Sequence, residues 1–421
     1  MYFIKAFLYF DLTKRFGGVP IIDKVYGVED NVNLPRNTYE ECLNFMLADI
    51  DAAIPLLAKE YAPAHYGRAT KAAAQALKAR VLLYAASKLN NPTGDKQKWK
   101  AAADAARELM GLQTEKYGAF SLQADYATLL NVPESEEYIM IKIRGNRPID
   151  GMFKDYSMSP SAGGQQGQMN PTQNHVDMYE MKATGKLPKE AGSGYDPQKP
   201  YEGRDPRFYA NILYNGATWQ GGKIETWAQT ANGVTNYGKD AGSDIKYTAT
   251  SYYCKKYWPE VYKLNGGSTT ILNYVFFRYA EILLNYAEAQ NEYLDAPDAS
   301  VYNAVNEIRG RASVQMPNLP AGLNKEQMRA AIRHERAIEL AFEDHRWYDI
   351  MRWQIGVETI QTPMYGMGVV KNANGTFTYT PFVLADNFQK LFGSHQHRYP
   401  IPKLEVQKSN GILIQNEGWE N

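Results

Sequence analysis

The chain has 421 residues, with 46 Lys+Arg against 46 Asp+Glu and a formal net charge of zero. That balance argues against a nucleic-acid-binding role and a polybasic membrane-surface role, since both need a basic face. An apolar fraction of 44% excludes global disorder, and only two cysteines, Cys42 and Cys254, exclude a thiolate metal site or a Cys-x-x-Cys redox motif.

No run approaches the length of a transmembrane helix. Met1–Asp11 has the look of a signal peptide, but Lys5 and Asp11 interrupt it, and Phe3, Phe7 and Phe10 repeat at helical spacing. The segment therefore predicts an amphipathic helix. Thr38-x-x-Glu41 is a capping box ahead of an apolar stripe that runs to Leu57. Ala69–Leu89 predicts a helix with an alanine stripe, ended by Asn90-Asn91-Pro92, and a third helix carries Trp99, Ala102, Ala103, Ala106 and Met110. Alanine faces let helices pair closely, which points to a tetratricopeptide-like solenoid.

From Pro148 to Gly267 the composition turns to Gly, Asn, Gln, Ser and Thr with many aromatics. So long an irregular stretch inside a compact protein is usually functional. Helical spacing resumes over Tyr274–Glu292, again through Val301–Ile308, and from an Asn324-x-x-Gln327 capping box onward to Arg352, with Glu335, Glu339 and Glu343 on one helix. Thr362–Arg398 is a second irregular region, in which Asn374-Gly375 predicts a hairpin turn. Together these elements predict a mostly α fold. It has a tetratricopeptide-like helical-pair scaffold, a large loop-rich ligand-binding lobe and a few short strands. Residues 1–135 and 136–421 are expected to be its two parts, packed as one globule.

The densest charge cluster spans Arg333–Arg346. Its acids sit beside apolar positions and alternate with arginines, and guanidinium forks satisfy buried carboxylates directly. Glu335, Arg336, Glu339 and Arg346 are therefore expected to form a structural ion-pair network rather than an acid/base pair or a carboxylate metal site. The phosphate loop, the Gly-x-Ser-x-Gly elbow and the His-Glu-x-x-His motif are all missing from the sequence, so no catalytic residue, metal or cofactor is assigned. Between Tyr209 and Trp258, aromatics interleave with short amides, hydroxyls and glycines. Flat rings stack on the C–H face of a pyranose while amides bond its hydroxyls, the chemistry of a neutral sugar site. Trp219 and Trp227 are the expected exposed platforms, with Tyr237 as a third ring and Asn215, Gln220 and Asn236 as hydrogen-bonding partners.

Several segments, in order along nearly the whole chain, resemble the SusD/RagB family of outer-membrane nutrient-binding lipoproteins. They are Lys5–Pro20 with its Phe-Gly-Gly-Val-Pro exit, the alanine helix Ala69–Tyr84 and the strand Glu137–Lys142. Gly203-Arg-Asp-Pro-Arg-Phe-Tyr209, Phe277–Ala289, Glu335–Arg352 and Tyr399-Pro-Ile-Pro402 with Gln415–Trp419 complete the set. The resemblance implies a surface-exposed, lipid-anchored protein without catalysis or cofactor. Such a protein binds oligosaccharide or polysaccharide and hands it to a SusC-like TonB-dependent outer-membrane transporter. A peptide-binding, RagB-like receptor is the alternative within the family, and a cytosolic solenoid interaction scaffold is the alternative outside it. The family's signal peptide, lipid-bearing cysteine and first helical segment have no counterpart here, so the chain is expected to be truncated. The Phe3–Phe7 face is then expected to be exposed and the chain to be less stable than a full-length one.

Overall fold

A computed structural model of the protein describes residues 1–27, 29–30, 32–110, 114–148, 158–164, 167, 169–260 and 269–420. The chain opens with helices α1 (Tyr2–Phe16), α2 (Tyr39–Leu56), α3 (Lys71–Ala86), α4 (Lys96–Arg107) and the single turn α5 (Thr114–Tyr117). The Thr38–Glu41 capping box forms as expected, and Thr70 and Asp95 cap α3 and α4. Strand β1 (Tyr138–Lys142) leads into the loop-rich lobe, which holds the short helices α6 (Gln173–Val176) and α7 (Pro206–Asn211). Short strands follow: β2 (Ile212–Leu213), β3 (Thr218–Trp219), β4 (Gly222–Lys223), β5 (Ala228–Ala231), β6 (Val234–Tyr237) and β7 (Tyr253–Cys254). The chain returns to helix through β8 (Tyr274–Arg278), α8 (Tyr279–Tyr293), α9 (Ala299–Arg309), α10 (Lys325–Glu339) and α11 (Arg346–Trp353). The hairpin β9 (Tyr365–Lys371) and β10 (Phe377–Val383) turns at Gly375, whose φ of 83° suits glycine. It extends β5 and β6 into a four-stranded sheet of order β10-β9-β5-β6.

The fold is mostly helical, with few and short strands. Its largest core cluster joins α1–α4 to α8–α10. Alanine makes this possible: α3 buries Ala72, Ala73, Ala74, Ala76, Ala79, Ala85 and Ala86, and α4 lies between α3 and α8 with Ala102, Ala103 and Ala106 buried. Cys42 and Cys254 are both free and buried. Among the described residues no helix is long and apolar enough to cross a membrane.

Three expectations are corrected. Tyr274–Arg278 is strand, not the first turn of a helix, because this aromatic run pairs with β1. Glu343 does not share a helix with Glu335 and Glu339: α10 stops at Glu339, and Phe342 and Asp344 take left-handed φ values of 64° and 61° before α11 begins. On α1, Phe3 is buried and Phe7 packs against Phe276, whereas the exposed stripe is Ile4, Leu8 and Leu12.

The expected ion-pair network is present, larger than the sequence indicated, and differently composed. Glu339, fully buried, receives Arg311 at 2.6 Å, Arg278 at 2.8 Å and Arg207 at 3.1 Å. Arg207 also holds Glu335, which Arg309 reaches at 3.1 Å. Arg278 goes on to Glu137 and Glu343, each at 2.7 Å, and Lys256 meets Glu343 at 2.6 Å. Arg336 belongs to a neighbouring cluster with Asp349 at 3.1 Å, where Arg352 ties Asp349 at 2.8 Å to Glu288 at 2.5 Å. The Arg-Asp-Pro-Arg segment builds one corner: Asp205 caps α7 ahead of Pro206 and orients the Arg207 guanidinium at 2.8 Å. Arg346 is not part of the network; among the described residues no hydrogen bond or ion pair to its guanidinium is found.

Burial alone would raise the pKa of Glu335, Glu339, Glu343 and Asp349, but the guanidinium groups around them override it and hold all four below the ordinary carboxylate range. Burial pushes His175 down to about 3 and His334 down to about 4. All these groups bind protons more readily unfolded than folded. Stability is therefore expected to fall as pH drops below about 6.5, where unfolded histidine protonates, and to keep falling below about 4.3, where unfolded glutamate does. Urea midpoints across that range check this, and a flat profile would place these groups in solvent. Arg278→Met leaves three carboxylates short of a partner and is expected to cost about 3–5 kcal/mol. A loss under about 1 kcal/mol in the same assay would remove Arg278 from the centre of the network.

Candidate functional site

The two irregular regions meet in a groove of about 710 Å³. One wall is the 242–250 loop, the other the 384–390 segment after β10, and Gly167, Asn170 and Thr172 form the floor. Glycine sets the first wall. A Cβ on Gly167 would lie 2.6 Å from the Thr248 backbone nitrogen, and one on Gly242 would strike the Tyr247 ring at 2.2 Å. Without them the loop folds down, and the Gly167 N–H donates to the Ile245 carbonyl at 3.1 Å. Thr248 accepts no slack either. Its N–H donates to the Tyr253 hydroxyl at 3.1 Å, and that hydroxyl donates to the Asp240 carbonyl at 2.9 Å. Asp240, buried, accepts from the Ser161 and Glu225 N–H groups at 2.8 and 2.9 Å. On the opposite wall the Gln389 side chain accepts from Met364 N–H and donates to the Leu384 carbonyl, both at 2.8 Å.

The lining mixes hydroxyls and amides (Thr172, Ser243, Thr248, Asn387) with the rings of Tyr247 and Phe388. Met364 and Leu384 add apolar area, and Asp244 and Lys390 carry one charge of each sign. Among the described residues no group of three His, Cys, Asp or Glu side chains could hold a metal ion. This arrangement offers hydrogen bonds and ring faces to an uncharged polar ligand, in a groove whose walls are already held.

The residues expected from the aromatic pattern do not lie here. Trp219 is 4% exposed, packed with Leu213, Ile224, Tyr253 and Trp258, so it is core and not a platform. The β3 pleat explains this, since Thr218 faces out and Trp219 in. Asn215 is buried as well; its carbonyl accepts from Thr226 N–H at 3.1 Å and its amide donates to the Tyr379 hydroxyl. Gln220 occupies the β3–β4 turn with φ 48°. Trp227 is half-buried with the Lys371 ammonium 4.3 Å above its ring. Asn236 and Tyr237 are exposed on β6, at the sheet edge, and Tyr237 pairs with Ala228, which pairs with Val370. Asn236 shares a face of the sheet with Gln229 and Trp227, whereas Tyr237, opposite Ala228, points from the other face; all three lie at the Lys371 end of β9. The groove lies at its Tyr365 end, about 20 Å away at roughly 3.3 Å per strand residue. The groove residues were marked in the sequence only by the irregularity of the two regions that supply them.

A family model described as "SusD family" matches residues 137–419, and one described as "Starch-binding associating with outer membrane" matches residues 1–83. SusD-like protein P2 of Formosa agariphila is 29% identical over 99% of this chain and 73% of its own length. SusD-like protein P25 of the same organism is 25% identical over 100% of this chain and 72% of its own. A SusD-like protein of Bacteroides fragilis, solved by crystallography, superposes with a TM-score of 0.78 at 30% identity, over 99% of this chain and 79% of that one. A SusD-like carbohydrate binding protein from the same species gives 0.76 at 25% identity, over 98% and 78%.

The glycine contacts set a test of the groove's rigidity. Gly242→Ala is expected to displace the Tyr247 ring and cost about 1–3 kcal/mol. Thermal unfolding and near-ultraviolet circular dichroism read both effects. A variant silent in both would show that the loop yields freely and that the groove is not held open by packing.

Proposed function

We propose that this chain, which belongs to the SusD family, is a carbohydrate-binding protein that captures oligosaccharides in the groove between the 242–250 and 384–390 segments. The observation that carries this reading is the groove's make-up: hydroxyls and amides beside the rings of Tyr247 and Phe388, on walls held by hydrogen bonds within the protein. Family membership supports binding without catalysis. The match of residues 1–83 to a model described as associating with the outer membrane supports a place there. In this reading the protein sits at the cell surface through a lipid anchor and passes its ligand to a SusC-like TonB-dependent transporter. Asn236 and Tyr237 on the exposed β6 edge, Trp227 beside Lys371, and Gln220 on the separate β3–β4 turn are accessory contacts for longer ligands.

Phe388 is 41% exposed at the groove and contributes little to the core, which makes it the cleanest probe. Isothermal titration against a panel of uncharged oligosaccharides is expected to find a binder, and the double variant Phe388→Ala/Asn387→Ala to weaken it at least tenfold, about 1.4 kcal/mol. Unchanged affinity would move the site elsewhere. A panel with no sugar binder, together with salt-sensitive binding of short peptides, would favour the peptide-receptor alternative.

A further inference from the structure

Beside the groove lies a second cleft of about 460 Å³, which shares Asn170 with it and is lined by Phe342, Asp344, Arg346 and Trp347. We propose that this cleft is a subsite for an anionic substituent, carboxylate or sulfate, on the oligosaccharide held next door. Arg346 is its counter-ion and Trp347 the surface on which the sugar ring rests. The proposal rests on the oligosaccharide reading above and adds to it a preference for acidic over uncharged glycans.

Arg346 motivates it, because among the described residues it lacks both the carboxylates and the carbonyl hydrogen bonds that satisfy most of the buried arginines. Arg207, Arg278, Arg309, Arg311, Arg336 and Arg352 all meet carboxylates. Arg346 is half-buried and, among the described residues, meets none. The acid that acts on it, Asp349, already has its oxygens bound by Arg336 and Arg352. Arg346 is also the first residue of α11, where the helix dipole disfavours a cation. Local folding physics therefore gains nothing from a positive charge at this position, whereas a bound anion would complete it with charge-assisted hydrogen bonds.

Three further observations converge on the same cleft. Phe342 and Asp344, both in its wall, hold left-handed φ values that non-glycine residues rarely adopt, a kind of strain that concentrates at binding sites. Trp347, next to the guanidinium, leaves 41% of its surface in solvent. Asn170, in the floor of the groove and also lining the cleft, has a buried side-chain oxygen with no hydrogen-bond partner among the described residues, and a ligand spanning the two could supply one. Asp344 carries the opposing charge at this cleft; it is exposed and accepts from the Tyr274 hydroxyl at 2.8 Å. A peptide carboxylate would satisfy Arg346 equally. The indole beside it and the hydroxyl-lined groove adjoining it fit a pyranose that carries the anion.

The test is titration of the full chain with tetrasaccharide panels that are uncharged, uronic-acid-bearing or sulfated, and with acidic tetrapeptides. At least one acidic sugar panel is expected to bind about tenfold tighter than the uncharged one at low salt, with the uronate and sulfate arms telling the two anions apart. Arg346→Gln is expected to abolish that advantage and Arg346→Lys to keep part of it. If Arg346→Gln retains the advantage, or uncharged sugars bind best, the subsite is overturned while the glycan reading stands. Binding of peptides alone, or of no probe, overturns both. Should Arg346→Gln fail to fold, the parent protein decides. Its preference for acidic sugars is expected to disappear at high salt, and a salt-independent preference would contradict the ion pair.

Discussion

The loop-rich lobe and the helical scaffold meet at one buried carboxylate. Glu339 lies at the end of α10, sealed from water, and three guanidinium groups converge on it. An unpaired carboxylate at that depth would cost several kcal/mol, so each arginine is held as firmly as the acid. The arginines arrive from different places: Arg207 from α7 in the loop-rich lobe, Arg278 from the junction of β8 with α8, and Arg311 from the turn after α9. Glu137, just before β1, receives two of the same arginines. A single ionic knot thus fastens the irregular lobe to the helical scaffold, beside an apolar cluster in which Ile338 of α10 joins Val176, Tyr179, Phe208 and Ile212 of the lobe.

That fastening explains how a region so poor in regular structure can present a defined groove. Loops held only by their own turns would lose conformational freedom on binding and forfeit affinity. Here the 242–250 loop is pinned by glycine contacts and by the Tyr253–Asp240 chain of hydrogen bonds, and the 384–390 segment by Gln389. In the proposed site a ligand would meet walls that already exist. Zero net charge over the whole chain is compatible with this role, because neither long-range attraction nor repulsion is needed to collect sugars.

The helical scaffold was legible in the sequence because its signals are local: the Thr38 and Asn324 capping boxes, the alanine stripes and the Asn374-Gly375 turn all formed. Where the reading failed, a long-range contact overrode a local pattern. Tyr274–Arg278 has helical spacing but is claimed by β1. Glu343 keeps the i+4 rhythm of α10, yet the chain turns sharply at Phe342 and Asp344 to bring it round to Arg278 and Lys256. Trp219 was misjudged because composition marks which loops carry aromatics but not which face of a two-residue strand points inward. Sequence proximity places Arg346 among the acids of the ion-pair network, but it starts α11, where Asp349 is already bound by Arg336 and Arg352, and among the described residues it forms no ion pair. The groove itself could be anticipated only as a meeting of two irregular regions, since its walls lie more than a hundred residues apart in the chain.

The central claim is that ligand lies in the groove where those regions meet. A crystal structure of the protein with a bound oligosaccharide tests it most directly. Sugar density is predicted between Tyr247 and Phe388, within hydrogen-bond reach of Thr248 and Asn387. Density confined to the helical scaffold, or only to the β5–β6 edge of the sheet with the groove empty, would contradict it.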